Sequence, residues 1–333
     1  MDYSIFEGKR ILITGATGLI GKTLVKMLLQ INKRLSNKIS VIAVSRSPER
    51  AQSVFKDCMC DELEILVTDV CNFEYPKAKV DYIVHGASQT ASKAFVSNPV
   101  ETIMTAFEGT RNMLEFAAEN NVKGFVYLSS MEVYGTPDSD EKIDENHPTN
   151  INTMSVRSCY PESKRMCENL CCSYASQYGV PAMAVRLTQT FGPGVDHREN
   201  RVFAMIARSA IEKKNIVLNT KGETKHNYLY TEDAATAILT VLAKGKPGEV
   251  YNAANEETYC SIYEMAKLVA DSFGENKVSV ETNDDENISK FGYAPTMHMN
   301  LDASKLRGLG WKPEVDLVGM YRNMIEDMIK QQN

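Results

Sequence analysis

The sequence has no C-x-x-C pair, although it contains eight cysteines. Cys58 and Cys60 are separated by one residue and Cys171 and Cys172 are adjacent, and neither spacing is that of a zinc site. We therefore expect no bound metal. The N-terminus also lacks a charged segment followed by an apolar run. Many thiols without such a signal are typical of a reducing compartment, so we expect a cytoplasmic location.

Excess positive charge and long apolar segments are lacking too. The formal net charge is −6, from 37 basic and 43 acidic residues, which disfavours a nucleic-acid partner. No segment approaches the ~18 apolar residues that a membrane helix needs, so no membrane association is expected. With 333 residues, of which 43% are hydrophobic, the chain is long enough for about two domains.

A strand, a glycine-rich turn and a helix follow one another near the start of the sequence. Arg10–Thr14 is an apolar run typical of a buried strand, and apolar residues with helical spacing follow from Leu24. Glycines between them let the backbone approach a pyrophosphate, and a helix N-terminus supplies N–H donors. The segment predicts a dinucleotide site with contacts from Gly15, Thr17, Gly18, Leu19, Ile20 and Gly21.

Strand-like and helix-like segments alternate over the first 187 residues, and shorter mixed elements follow. This alternation predicts an α/β fold, a Rossmann-type doubly wound parallel sheet whose site lies at the carboxyl ends of the strands. We expect an NAD(P)-binding domain over residues 1–187, with a return segment at about 227–255. Residues 188–226 and 256–333 are expected to form a smaller mixed α/β C-terminal substrate domain.

The strand ends are expected to supply the remaining contacts of the dinucleotide. Where an acidic residue normally holds the ribose 2'-hydroxyl of NAD, the sequence has Ser45 followed by Arg46. A guanidinium suits a 2'-phosphate, so NADP is favoured slightly over NAD, and an arginine that stacks on adenine or is solvated is the alternative. His85 is expected to pack rather than to catalyse. The other predicted cofactor contacts are Asp69, Val70, Gly86, Ala87, Ser88, Ser129 and Leu187.

Tyr160 and Lys164 are four residues apart in a helical pattern, so they share one helix face. A free tyrosine titrates near pH ~10, and a neighbouring cation favours its phenolate. A pKa near 7 would require a shift of ~3 units, or about 4 kcal/mol of differential interaction. We expect Lys164 to lower the pKa of Tyr160 in this way, so that Tyr160 acts as a general base. The two residues are also predicted to contact the cofactor.

Several segments together resemble the extended short-chain dehydrogenase/reductase family, specifically its sugar-nucleotide epimerases, dehydratases and decarboxylases. The matching segments are Thr14–Gly21, Asp69-Val70, Ser129–Gly135, Tyr160–Lys164, Phe191–Gly194 and Leu309–Pro313. The resemblance spans nearly the whole chain. It implies a tightly bound NAD(P), a catalytic triad of Ser130, Tyr160 and Lys164, and a transient 4-keto sugar.

The same resemblance implies a catalytic role for Glu132. This residue aligns with the glutamate that dehydratases use to remove the C5 proton and that UDP-glucuronate decarboxylases also carry. The string Arg157-Ser158-Cys159-Tyr160 looks particularly like the decarboxylases. Met131 departs from the dehydratase pattern, since methionine cannot protonate a leaving hydroxyl. A helix cap or a salt bridge is the alternative role for Glu132.

The expected function is that of an NAD(P)-dependent nucleotide-sugar epimerase/dehydratase-type enzyme, which acts through a transient 4-keto sugar and recycles its cofactor in place. Three alternatives remain open from the sequence. They are a nucleotide-uronic acid decarboxylase, an NADPH-dependent keto-sugar reductase and a non-catalytic NAD(P)-sensing protein, since a fold does not fix a function.

The substrate side departs further from the family pattern. Gln189 replaces an asparagine near the nucleotide diphosphate, and His226 stands where an arginine usually binds that diphosphate. Ala294-Pro295 stands where a second arginine is expected. The predicted contacts with a nucleotide-sugar substrate are Gln89, Gln189, Arg201 and His226. The resemblance also suggests a homodimer, formed through the helix that begins near Val100 and the helix that carries Tyr160.

Overall fold

The computed structural model describes residues 2–73, 79–283 and 296–332, so Ala294-Pro295 lies outside the described residues. Extended segments occur throughout these ranges. The strands are, in chain order, β1 (Arg10–Thr14), β2 (Ser40–Ser45), β3 (Leu63–Val67), β4 (Tyr82–His85), β5 (Gly124–Ser130), β6 (Ala182–Leu187), β7 (Gln189–Phe191), β8 (Ile216–Leu218), β9 (Lys225–Tyr230), β10 (Val250–Ala253), β11 (Asn255–Ser261), β12 (Val280–Thr282) and β13 (His298–Met299).

Helices connect most of these strands. They are α1 (Leu19–Ile31), α2 (Pro48–Phe55), α3 (Ser92–Ser97), α4 (Pro99–Asn120), α5 (Cys159–Tyr178), α6 (Val202–Glu212), α7 (Thr231–Lys244), α8 (Ile262–Phe273), α9 (Ser304–Gly308) and α10 (Leu317–Lys330). Short 3-10 turns at Met131–Tyr134 and Val156–Ser158 follow β5 and precede α5. These two turns carry residues of the site described below.

Seven strands form one parallel sheet in the order β10-β6-β5-β4-β1-β2-β3. Thr14 at the end of β1 is paired with Val44 of β2 on one side and with His85 of β4 on the other. The chain order reverses between β1 and β4, and a crevice opens at such a reversal in doubly wound sheets. The Rossmann-type fold predicted from the sequence is confirmed.

Both faces of this sheet are covered, as a parallel sheet requires. Side chains of α1 and α7, including Leu24, Leu28 and Ile238, form an apolar cluster with one face. Met113 of α4 and Cys167 of α5 belong to a second cluster on the other face. The hydrophobic periodicity of these helices therefore fixes the sheet between two layers and leaves its carboxyl edge open.

Two smaller sheets lie beyond the large one. In the first, β9 pairs with β11, β13 and β7, and in the second β8 pairs with β12. A third apolar cluster joins residues of α6, α8 and α10. Between these segments the chain returns to the large sheet, where β10 pairs with β6. The domain boundaries given from the sequence remain a prediction.

Candidate active site

A cleft of about 1050 Å³ opens at the carboxyl edge of the large sheet. It extends from the glycine-rich turn to the residues that precede α6. The structure brings almost all of the predicted site residues to its lining. From the cofactor, catalytic and substrate predictions these are Gly15, Thr17, Gly18, Leu19, Ile20, Gly21, Ser45, Arg46, Asp69, Val70, Gly86, Ala87, Ser88, Gln89, Ser129, Ser130, Glu132, Tyr160, Lys164, Leu187, Gln189 and Arg201.

The glycine-rich turn leaves no room for side chains at two positions. Gly15 has φ +66°, and a Cβ there would lie 2.7 Å from the carbonyl oxygen of Gly86. A Cβ on Gly21 would collide with the carbonyl oxygen of Gly15. Helix α1 begins at Leu19 and has no acidic residue in its first turn. A bare backbone beside a helix N-terminus is suited to the pyrophosphate of a dinucleotide.

A buried hydrogen-bond pair holds the turn after β4 against the glycine-rich turn. The Thr14 hydroxyl lies 2.7 Å from Nδ1 of His85 and accepts the N–H groups of Gly86 and Ala87, each at 3.1 Å. Burial lowers the pKa of His85 to about 3, so its ring is neutral. Because the Thr14 hydroxyl oxygen accepts two N–H groups, we assign its own proton to the bond with Nδ1, which puts the ring proton on Nε2. His85 thus has a positioning role, and Thr14 is a site residue that the sequence reasoning missed.

Lys164 is buried in the floor of the cleft. Its Nζ donates a hydrogen bond to the carbonyl oxygen of Leu128 at 2.7 Å and lies 4.7 Å from the centre of the Tyr127 ring. The same atom is 5.7 Å from the centre of the Tyr160 ring. Burial lowers the pKa of Lys164 to about 8. The structure therefore brings Tyr160 and Lys164 together, as their helical spacing predicts. The pKa of Lys164, about 8, is close to neutral pH.

Tyr160 does not have the lowered pKa that the sequence led us to expect. Burial raises the pKa of this phenol above its ordinary value, and the charge of Glu132 raises it further. These effects outweigh the hydrogen bond and the positive charges that lower it, which come from Ser130, Arg157 and Arg201. The expectation that Lys164 lowers the pKa of Tyr160 is thus corrected, because desolvation of the phenol by burial is the larger effect.

Glu132 takes part in an ion pair on the wall of the cleft. Nη2 of Arg157 donates to Oε2 of Glu132 at 2.8 Å, and both side chains are partly exposed. The Arg157 guanidinium lies 4.8 Å from the centre of the Phe95 ring. Phe95 in turn stacks on Tyr160, with 4.3 Å between ring centres. The salt bridge foreseen as an alternative for Glu132 is present, and Phe95 is a residue that the sequence reasoning missed.

A second ion pair supports the end of β5 from behind. Glu168 accepts two hydrogen bonds from Arg186, at 3.0 and 2.7 Å, and one from the hydroxyl of Ser129 at 2.5 Å. Arg186 also donates to the Tyr134 hydroxyl at 2.8 Å. The carboxylate of Glu168 raises the pKa of Arg186 against the effect of burial, so the guanidinium stays charged. This network fixes the strand end that presents Ser130 to the cleft.

On the substrate side, Gln89, Gln189 and Arg201 line the cleft. Arg201 directly precedes α6 and is paired with Glu199 at 2.8 Å. His226 is different. It lies on β9 in the smaller sheet, opposite Cys260 and Met299, and is not part of the cleft lining. The predicted substrate contact at His226 is corrected, since this residue is not among those that line the cleft, whereas Gln189 on β7 of the same smaller sheet does line it.

The adenosine end of the cleft is polar and basic. Ser45 donates to the carbonyl oxygen of Ser47 at 3.0 Å, and Arg46 beside it is exposed. Arg50 of α2 also lines the cleft, although the sequence reasoning did not select it. Asp69 accepts the N–H of Cys71 at 2.9 Å, which caps the turn after β3. The guanidinium-bearing residues Arg46 and Arg50 therefore both line this end of the cleft.

The sequence matches a family model described as the NAD dependent epimerase/dehydratase family over residues 11–254. The chain belongs to this family. The match covers the glycine-rich turn, the strand ends and the Tyr160–Lys164 pair in one continuous stretch. Membership confirms the resemblance to extended short-chain dehydrogenases/reductases and makes this protein an NAD-dependent enzyme of the epimerase/dehydratase class.

Curated relatives of this family member include two kinds of enzyme. It is 28% identical over 314 residues to UDP-glucuronic acid decarboxylase 1 of Xenopus tropicalis, with 93% of this chain and 70% of the relative covered. It is also 28% identical over 322 residues to the dTDP-D-glucose 4,6-dehydratase of Bos taurus, with 92% and 85% covered. Decarboxylases and dehydratases of nucleotide sugars are thus both among its relatives.

Solved structures of the same family share the fold. A UDP-N-acetylglucosamine 4-epimerase from Methanobrevibacter ruminantium, in complex with UDP-N-acetylmuramic acid, aligns with a TM-score of 0.81 at 20% identity, covering 98% of this chain and 99% of the other. A UDP-glucuronic acid 4-epimerase from Bacillus cereus, in complex with NAD, gives a TM-score of 0.78 at 20% identity, with 97% of this chain and 100% of the other covered.

In the described ranges, no helix is both long and apolar enough to cross a membrane.

Proposed function

We propose that this protein oxidises the sugar of a nucleotide sugar at C4, transforms the resulting 4-keto sugar, and reduces it again with the same bound NAD(P). One observation carries this proposal. Four groups suited to the chemistry, from Ser130, Glu132, Tyr160 and Lys164, line the same cleft as a glycine-rich turn suited to a dinucleotide. An epimerase/dehydratase-type reaction needs both kinds of site next to each other.

Each of these groups has a role that its chemistry allows. Tyr160 takes the proton from the hydroxyl on C4, while Ser130 hydrogen-bonds the same oxygen. When bound, NAD(P) supplies the hydride acceptor and a positively charged nicotinamide ring. That charge favours the phenolate form and so opposes the raised pKa of Tyr160. Lys164 would hold the nicotinamide ribose, and its ammonium lies 5.7 Å from the centre of the Tyr160 ring.

Glu132 is proposed to act on the 4-keto sugar, because a ketone acidifies the C–H bonds beside it. Its carboxylate would remove the proton on C5. The adjacent Met131 lines the cleft and has no proton to give to a leaving hydroxyl. This arrangement disfavours 4,6-dehydration and supports a second candidate, the decarboxylation of a nucleotide-linked uronic acid. In that reaction no proton is removed from C5: the bond from C5 to the carboxylate breaks, carbon dioxide leaves, the electron pair forms the enolate of the 4-keto sugar, and C5 is then protonated. Release of carbon dioxide from such a substrate would identify this reaction.

We propose NAD(P) as the cofactor, with NADP slightly favoured and NAD possible. The support is the pair of guanidinium groups of Arg46 and Arg50 at the cleft, together with a serine at position 45 in place of a carboxylate. Guanidinium groups bind a 2'-phosphate, whereas a carboxylate would repel it. The same pair would also suit an NADPH-dependent keto-sugar reductase. Net consumption of added NADPH distinguishes that reductase from an enzyme that recycles its cofactor.

A homodimer through α4 and α5 is proposed as well. Helix α4 exposes Val100, Ile103 and Met104, and α5 exposes Met166, so both helices carry apolar side chains outward. Light scattering at micromolar concentration would contradict the proposal if it gave the mass of a monomer.

We further propose a cytoplasmic location, since all eight cysteines are free thiols.

The first experiment is mass spectrometry of ligands released from the purified protein, which reports the dinucleotide and any retained nucleotide sugar together. The second is turnover of a panel of nucleotide sugars by Tyr160→Phe. Loss of a general base is expected to lower turnover by about 10²-fold or more. Tyr178→Phe is the matched control, since Tyr178 is an exposed residue at the end of the same helix. Near-normal turnover by Tyr160→Phe would refute the assignment, and no turnover of any sugar by the wild type would favour an NAD(P)-sensing protein.

A further inference from the structure

Arg157 connects two parts of the site that come from different elements. It lies on the 3-10 turn Val156–Ser158, immediately before α5. Its guanidinium contacts Glu132 at 2.8 Å on one side and covers the Phe95 ring at 4.8 Å on the other. Because Phe95 also stacks on Tyr160, its ring contacts both the guanidinium and the phenol.

The proposed function requires two negative charges in one small cleft. Glu132 must be a carboxylate to remove a proton, and Tyr160 must become a phenolate to act as a base. Two like charges this close disfavour one another. In the structure the charge of Glu132 does raise the pKa of Tyr160, while Arg157 lowers it. A cation close to both groups therefore favours their joint ionisation, in addition to the charge of Lys164.

The other cations near Tyr160 have other partners. Lys164, on the same helix as Tyr160, donates to the carbonyl oxygen of Leu128. Arg201, at the start of α6, pairs with Glu199 at 2.8 Å. Of the cations in the described part of the chain, Arg157 is the one within ion-pair distance of Glu132. It is therefore the group that can compensate this carboxylate directly.

We propose that Arg157 is a positioning residue of the active site, which orients Glu132 and cancels its charge at Tyr160 so that a carboxylate and a phenolate can coexist. This inference rests on the proposed function for its purpose. The inference describes a charge coupling among the side chains of Arg157, Glu132 and Tyr160. That coupling can be measured without enzymatic turnover.

The direct test is the titration of Tyr160 in the protein loaded with oxidised dinucleotide. Tyrosine labelled with carbon-13 at Cζ reports the ionisation of each phenol by NMR. The Tyr160 signal is identified as the one that is missing from the spectrum of the Tyr160→Phe variant. Arg157→Gln is expected to raise the midpoint of this signal by about 1 pH unit, since removing a nearby cation favours the neutral phenol. Arg157→Lys, which keeps the charge, is expected to restore most of the shift.

Two further variants separate charge coupling from a merely structural effect. Glu132→Gln removes a nearby negative charge, so it should lower the Tyr160 midpoint, which is the opposite of the shift expected for Arg157→Gln. Arg165→Gln is the matched control, because Arg165 pairs with Glu162 on the surface of the same helix. It is expected to leave the midpoint unchanged.

The kinetic test is the pH dependence of dinucleotide reduction by a nucleotide sugar in a single turnover, followed by the absorbance of the reduced nicotinamide. The acidic limb for Arg157→Gln should move to higher pH by the same amount as the NMR midpoint. An unmoved midpoint in Arg157→Gln would overturn the inference, as would a midpoint in Glu132→Gln that does not fall. A rise in KM alone would also overturn it, since it would identify a residue that only binds substrate.

The two proposals fail differently. If none of the nucleotide sugars reduces the dinucleotide bound to the wild type, the proposed function fails. The NMR titration still decides the charge coupling. If the wild type turns over normally and the Tyr160 midpoint does not respond to Arg157→Gln, the proposed function stands and the role of Arg157 falls.

Discussion

Replacing Glu168 by glutamine tests whether the ion pair behind β5 stabilises the fold. The carboxylate accepts three hydrogen bonds, two from Arg186 and one from Ser129. The Arg186 and Glu168 side chains are only 11% and 12% exposed, so water cannot replace the lost charge. Glutamine has nearly the same shape, but it leaves the guanidinium uncompensated and turns an N–H₂ donor toward other donors.

The expected size of this effect follows from that burial. Removing one partner of a buried ion pair typically destabilises a protein by ~3–5 kcal/mol. We expect about 3 kcal/mol for Glu168→Gln, because the pair is not fully enclosed. The matched control is Glu162→Gln on the same helix. Glu162 pairs with Arg165 at 3.2 Å, and the side chains of Arg165 and Glu162 are 42% and 32% exposed. An exposed pair of this kind contributes about 1 kcal/mol at most.

The assay is equilibrium unfolding in urea, with the free energy of unfolding extrapolated to water. A change in midpoint at constant m-value reports stability rather than a change in the unfolded chain. Turnover of Glu168→Gln should fall as well, because Ser129 loses the acceptor that fixes it next to Ser130. The reasoning is refuted if Glu168→Gln and Glu162→Gln lower the free energy of unfolding by the same small amount.

Three other changes have expected outcomes. Gly21→Ala should weaken dinucleotide binding by about tenfold or more, since its Cβ would collide with the Gly15 carbonyl oxygen and overpacking costs ~1–3 kcal/mol. Gly308→Ala, where a Cβ meets no atom of the described residues within 4 Å, should bind normally in the same calorimetric titration. Arg46→Ala should lower the affinity for NADP about tenfold and leave that for NAD unchanged, by fluorescence titration; an equal loss for both would contradict a 2'-phosphate contact. His226→Asn should leave turnover unchanged. It should also flatten the loss of stability between pH 6.5 and about 4, because burial lowers the pKa of His226 to about 4 and the unfolded chain alone binds the proton in that window. An unaltered slope of unfolding free energy against pH would refute this.

The local order of residues was sufficient to predict the fold class and most of the cleft. A strand, a glycine-rich turn and a helix in direct succession can form little else than a dinucleotide site. The alternation of buried strands and amphipathic helices dictates a parallel sheet covered on both faces. In such a sheet the carboxyl ends of the strands lie together, so residues as distant in sequence as Ser45, Asp69 and Ser130 could be assigned to one cleft in advance.

Contacts between side chains far apart in the chain were decided only by the tertiary structure. The position of His226 on β9, opposite Cys260 and Met299, leaves it outside the cleft lining, although its position in the sequence suggested a substrate contact. The burial of Tyr160 raises its pKa, although the spacing to Lys164 predicted the opposite. Spacing along a helix fixes which residues share a face. The depth of that face below the surface, and the charges brought against it by Glu132 and Arg157, depend on how the remaining elements pack, and the dielectric environment of each group follows from that packing.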